Sequence, residues 1–137
     1  MKVIKSDATE KFNNTDIKHA VSVYPLGDTQ IDCAFATTDG EFPGGGAWAS
    51  NEKSKELLFC TKGNGILEIK RNISSDAGRR DSSAHLDKSS GGVERYEFSK
   101  DDVILIEPGD VYRYHGPCSF VVVCTPPWTP EQHKKIE

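Results

Sequence analysis

The run Lys55-Glu56-Leu57-Leu58-Phe59-Cys60-Thr61-Lys62-Gly63-Asn64-Gly65-Ile66-Leu67-Glu68-Ile69 decides the architecture. Residues 57–60 are apolar without a polar face, which suits a strand pressed between two layers. Lys62-Gly63-Asn64-Gly65 then offers glycines for the positive φ of a hairpin turn, so residues 66–69 are expected to return as a second strand. The same rhythm of short β-prone runs and turn residues extends in both directions. Upstream, Val21-Ser22-Val23-Tyr24 ends at Pro25, and Ile31, Cys33 and Phe35 alternate with Asp32 and Ala34 in a one-sided strand. Pro43-Gly44-Gly45-Gly46 then loosens the backbone before Trp48. Downstream, Asp101-Asp102 turns into a buried strand over 103–106, and Glu107-Pro108-Gly109-Asp110 turns into strands over 111–115 and 120–124. Recurrent short strands without helical periodicity predict an all-β sandwich or barrel.

Two segments break this rhythm. Residues 71–95 are rich in Ser, Gly, Asp and Arg and nearly devoid of large apolar side chains, the composition of a mobile loop insertion. Near the other end, Thr129-Pro130-Glu131-Gln132 has the capping Thr, the Pro at the first helical position and the Gln of a capping box, which predicts one short C-terminal helix over 129–136.

The 137 residues suffice for a single domain spanning 1–137. A net charge of −4, with no concentrated basic patch, speaks against a nucleic-acid partner. The longest apolar runs are strand-sized and the first twelve residues carry five charges, so neither a membrane span nor a secretory signal is expected. Cys33, Cys60, Cys118 and Cys124 form no Cys-x-x-Cys pair and read as reduced thiols of a cytoplasmic protein.

Two stretches together resemble the motifs of the cupin superfamily. Its first motif ends in a Glu, six residues and a Gly, as Glu56 to Gly63 does here. Its second motif runs from a Gly through five residues to Pro-Gly, and here Asp102 stands at the Gly position before Pro108-Gly109. The run from Cys124 to His133 also looks like the ending of many small bacterial cupins. The resemblance implies a double-stranded β-helix, the jelly-roll barrel, and pairing of two copies as a homodimer.

The metal-binding histidines of that family are missing. The first two belong four to seven residues before Glu56, where Ala49, Ser50, Asn51 and Glu52 stand, and the third belongs at Tyr112. No metal or other cofactor is therefore expected. An alternative oxygen set, Glu52, Glu56 and Tyr112, would suit iron or manganese in an oxygenase or lyase. His19, His85, His115 and His133 do not restore the site by position, with His133 read as a surface residue of the terminal helix.

If Glu56 faces inward, as the resemblance implies, Leu58 and Cys60 share its face, and on the later strand Tyr112 and Tyr114 face inward together. With Trp48 as a wall and Asn51 and Glu52 beside Glu56, these residues form a cup for a small polar molecule. Glu56 with Tyr112 or Tyr114 would supply the acid and base of a metal-independent isomerase, epimerase or cyclase. A non-catalytic binding module is the reading of a different class, in which the same polar groups merely tie strands together or hold a ligand.

Overall fold

The computed structural model describes residues 1–71, 85–86 and 92–137. Among the described residues, twelve strands form one sheet that curls into two facing walls. They are β1 (Glu10–Asn14), β2 (His19–Tyr24), β3 (Asp32–Thr38), β4 (Glu41–Phe42), β5 (Trp48–Asn51) and β6 (Lys55–Lys70), then β7 (His85–Leu86), β8 (Val93–Ser99), β9 (Val103–Ile106), β10 (Val111–His115), β11 (Cys118–Thr125) and β12 (His133–Ile136). No helix among the described residues is long and apolar enough to cross a membrane.

The hairpin expected at Lys62–Gly65 does not form. Residues 55–70 are instead one sixteen-residue strand that passes from one wall to the other. Its first half lies between β11 and β9, and its second half between β10 and β8. The glycines serve this crossing. At Gly63, with φ +82°, a Cβ would stand 2.1 Å from the Pro117 carbonyl oxygen, and at Gly65 one would stand 1.9 Å from that of His115. Only a bare backbone lets the neighbouring strands approach so closely at a barrel corner. The ladder to β11 shifts register at the same place, between Ser119 and Phe120.

The loop expected over 71–95 falls largely outside the described residues. Within that range, Val93 already belongs to β8 and pairs with Lys70, while His85 and Leu86 pair with Arg95 and Glu94. The expected C-terminal helix shrinks to a single 3₁₀ turn, Pro130–Gln132, after which the chain runs as β12 along β5. Thr129 makes no side-chain cap. The Gln132 amide is engaged elsewhere, accepting from the backbone N–H groups of Lys53 (3.0 Å) and Ser54 (2.7 Å) and donating to the Ser54 hydroxyl. Ser54 in turn donates to the Pro126 carbonyl. Satisfying four buried polar groups outweighs extending a helix by one turn.

Leu58, Ile104, Ile106 and Phe120 from one wall meet Leu67, Ile69, Tyr112 and Tyr114 from the other in the sealed core. On β3 the facing is the reverse of a strand that buries its larger side chains. Ala36 and Thr38 point in, and the opposite parity of Cys33 and Phe35 puts them on the outer face. Leu57, Phe59, Val103 and Leu105 also face outward and are 39–55% exposed.

The crossing strand sets a testable contrast. Gly63→Ala meets both a positive φ and a backbone collision, so urea unfolding is expected to show a loss of about 3 kcal/mol. Gly109→Ala, at a similar φ but with open space around it, is expected to lose only about 1 kcal/mol.

Candidate functional site

Glu56 enters the barrel at the start of β6, where it pairs with Cys124 on β11 and Ile106 on β9. Asn51, the last residue of β5, is buried beside it and donates from Nδ2 to Glu56 Oε2 at 2.7 Å. The other end of the Asn51 amide faces the C-terminal segment. Its Oδ1 accepts from the Trp128 indole N–H at 3.1 Å and lies 3.0 Å from His133 Nδ1. From the opposite wall the Tyr112 hydroxyl reaches the same Glu56 oxygen at 3.5 Å, a long contact. Trp128 is itself held by Asp32, whose carboxylate accepts from the Trp128 and Cys124 backbone N–H groups.

A second polar chain lies alongside. The Tyr114 hydroxyl is 3.3 Å from Thr38 Oγ1, and that oxygen is 2.7 Å from His19 Nδ1. Phe42 stands between the two chains, its ring centroid 4.7 Å from that of His19, 5.1 Å from Tyr114 and 6.4 Å from both Tyr112 and His133. Glu56, Phe42, His19 and His133 are partly exposed, and Trp128 is open to solvent. Beneath them, Leu58, Cys60, Ile106 and Tyr112 form a sealed floor. The result is a cluster of polar and aromatic side chains over an apolar base.

The electrostatics single out Glu56. Burial pushes its carboxyl up to about 7, against the opposing bond from Asn51. One good hydrogen bond and one long one do not hold a buried carboxylate in its charged form. Glu68 on the same strand is a useful contrast. Burial pushes it upward too, but bonds from Arg113 and Arg95 prevail and hold its carboxyl below the usual range. Burial drives the Tyr112 and Tyr114 phenols well up, so both remain protonated hydrogen-bond donors. It also lowers His19, to about 4, and His133, leaving neutral imidazoles.

Not all the expected site residues converge. Glu56, Asn51 and Tyr112 do. Tyr114 lies close by, but its hydroxyl is directed to Thr38. Leu58 and Cys60 share the Glu56 face as floor and are fully buried. Trp48 is not a wall of the cup. Its neighbour Ala49 takes the inward position opposite Tyr112, and the Trp48 ring packs on the outer face against Lys70 (4.5 Å) and Arg113 (4.4 Å). Glu52 turns to solvent and pairs with Lys134, so the oxygen set of Glu52, Glu56 and Tyr112 does not assemble. Among the described residues no group of three or more His, Cys, Asp or Glu is placed to hold a metal ion. All four cysteines are free thiols, and burial raises those of Cys118 and Cys124.

Four rim residues escape a reading of the sequence: His19, Phe42, Trp128 and His133. The terminal strand β12 aligns His133 with Asn51, and strand alternation would place it inward once a strand rather than a helix is assumed.

The curled sheet superposes on solved structures over nearly the whole chain. The fold is that of a cupin. The Streptomyces nucleoside dehydratase Pac13 superposes with a TM-score of 0.74 at 12% identity, over 100% of this chain and 92% of its own. KdgF from Halomonas sp. gives 0.59 at 8% identity, over 93% and 96%. Oxalate decarboxylase from Lactobacillus farciminis gives 0.64 at 12% identity, over 97% of this chain and 36% of its own. No family model and no curated protein matches the sequence.

Burial makes Glu56 a weaker acid in the folded chain, and stability depends on pH accordingly. Between its ordinary 4.5 and about 7, the folded chain keeps a proton that the unfolded chain has released. Stability from this group therefore falls as pH rises through that window and is level above it. His19 acts oppositely, removing stability as pH drops from 6.5 towards about 4. Comparing wild type with Glu56→Gln isolates the carboxyl. The variant is expected to be more stable by about 1–3 kcal/mol at about pH 8 and nearly equal near pH 4.5, by urea unfolding at each pH.

Proposed function

We propose that this chain binds a small polar molecule in the cup and moves a proton on it with Glu56, in the manner of a metal-independent isomerase, epimerase or cyclase. What carries this reading is a carboxyl that burial pushes up to about 7, bonded to an uncharged amide and set beside the aromatic rim residues. A group poised at the working pH is effective both as donor and as acceptor. The Tyr112 hydroxyl stands 3.5 Å from Glu56 as a distant donor, and Tyr114 backs the cup through Thr38. Asn51 and Tyr112 stand where the family's metal-binding histidines belong, beside the retained Glu56, which supports side-chain chemistry in place of a histidine-bound ion.

Pac13 has been solved with uridine, which makes uridine a reasonable first probe. Ligand-observed NMR with uridine and a panel of small sugars and hydroxy acids is expected to reveal binding that disappears in Trp128→Ala. A panel with no binder sensitive to the rim would remove the reading. For a bound compound that is converted, Glu56→Gln is expected to cut turnover by about a hundredfold or more while changing affinity only a few-fold. Weakened binding with no turnover to lose would favour the non-catalytic module.

The chain is further proposed to act as a homodimer. Two cross-strand rows on its outer wall, Tyr24-Cys33-Val123-Leu57-Leu105 and Ser22-Phe35-Val121-Phe59-Val103, run across five strands without one charge. An antiparallel sheet that faces water alternates apolar with polar, whereas this one is apolar on both faces. A second copy offers the same uncharged surface, as a two-fold interface requires. Light scattering is expected to give twice the chain mass for wild type and the chain mass for Phe59→Glu. A monomeric wild type would refute the pairing.

A further inference from the structure

We propose that His133 is the proton acceptor of the cup, with Asn51 locking its Nδ1–H tautomer and leaving the Nε2 lone pair for a hydroxyl or N–H donor of the ligand. This rests on the cup being a ligand site, as argued above, and adds a residue and a direction of proton transfer to it.

The argument begins at Trp128. An indole nitrogen can donate a hydrogen bond but never accept one. The atom of Asn51 that faces it, at 3.1 Å, must therefore be the carbonyl oxygen, and the amide nitrogen must face Glu56. That same oxygen lies 3.0 Å from His133 Nδ1. An oxygen accepts only, so Nδ1 carries the proton. In a neutral imidazole with Nδ1 protonated, Nε2 is the acceptor. Among the described residues nothing bonds Nε2, and no buried side-chain nitrogen or oxygen lacks a partner. Nε2 is thus open to solvent, on a ring set between Trp128 and Phe42.

Glu56 and His133 are in this way assigned different parts by one amide. Asn51 donates to the first and accepts from the second, so a protonated Glu56 can give a proton while His133 takes one. The two groups return to their starting states by exchange with solvent. Trp128 and Asn51 act as positioning residues.

The tautomer can be read without any ligand. Long-range ¹H–¹⁵N spectra of imidazole-labelled protein at mildly alkaline pH are expected to show His133 as Nδ1–H with an unprotonated Nε2. This is the reverse of free histidine, in which the Nε2–H form dominates. In Trp128→Phe combined with Glu56→Gln, which removes both groups that fix the direction of the Asn51 amide, the Nε2–H form of His133 is expected to appear. An Nε2–H form in wild type, or an unchanged tautomer in the double variant, would overturn the proposal. Because the spectra involve no ligand, that failure is distinct from an absence of binders in the panel.

Discussion

A hydrogen bond that runs in only one direction organises the polar half of this barrel. The Trp128 indole donates to Asn51, so the amide cannot turn over, and each further partner takes the role that remains. Trp128 is placed for this by Asp32, which holds its backbone N–H at 2.7 Å. The segment on either side is stitched to residues 52–54 by the Gln132 side chain and by the Gln132 carbonyl, which accepts from Glu52 N–H. The geometry at Glu56 is thus inherited from contacts made well away from it.

The cost of the arrangement falls on Glu56. A buried carboxyl whose task is to join strands is best served by cationic partners, and Glu68 shows that this chain can provide them. Glu56 receives an uncharged amide and a distant phenol instead. Such surroundings hold the carboxyl near its balance point between two protonation states, a property of proton-transfer sites more than of structural ties. Neutral surroundings also suit an uncharged polar ligand, which would not have to displace an ion pair.

Much of the frame is legible in the sequence because burial leaves a period in it. The apolar run at 57–60 marks a strand, although its outward Leu57 and Phe59 stay 39% and 40% exposed instead of meeting a second layer. The resemblance of the run from Glu56 to Gly63 to the family's first motif implies the inward carboxyl. The hairpin at 62–65 was misread because glycine serves two ends. It relieves a turn, and it also lets strands touch at a corner, as the Pro117 and His115 carbonyls do here. The terminal helix was misread for a related reason. Thr129-Pro130-Glu131-Gln132 carries good capping chemistry, but Gln132 is claimed by Lys53 and Ser54, far away in the chain. With the helix went the position of His133, and with it half of the cup. Trp48 shows the converse error, since a large aromatic beside an inward strand position is covered by two cations on the outer face. Such long-range claims on single side chains leave no local pattern to read.

The position of the rim along the chain has a consequence for biosynthesis. Trp128 and His133 follow every strand whose inward side chains they cover, for β11 ends at Thr125. A polypeptide leaving the ribosome has therefore exposed the whole inner sheet, Glu56 included, before the indole and imidazole emerge. During that interval the Asn51 amide, already beside Glu56, has neither the indole nor the imidazole to fix which way it faces. The frame therefore emerges ahead of the two residues that complete its polar rim.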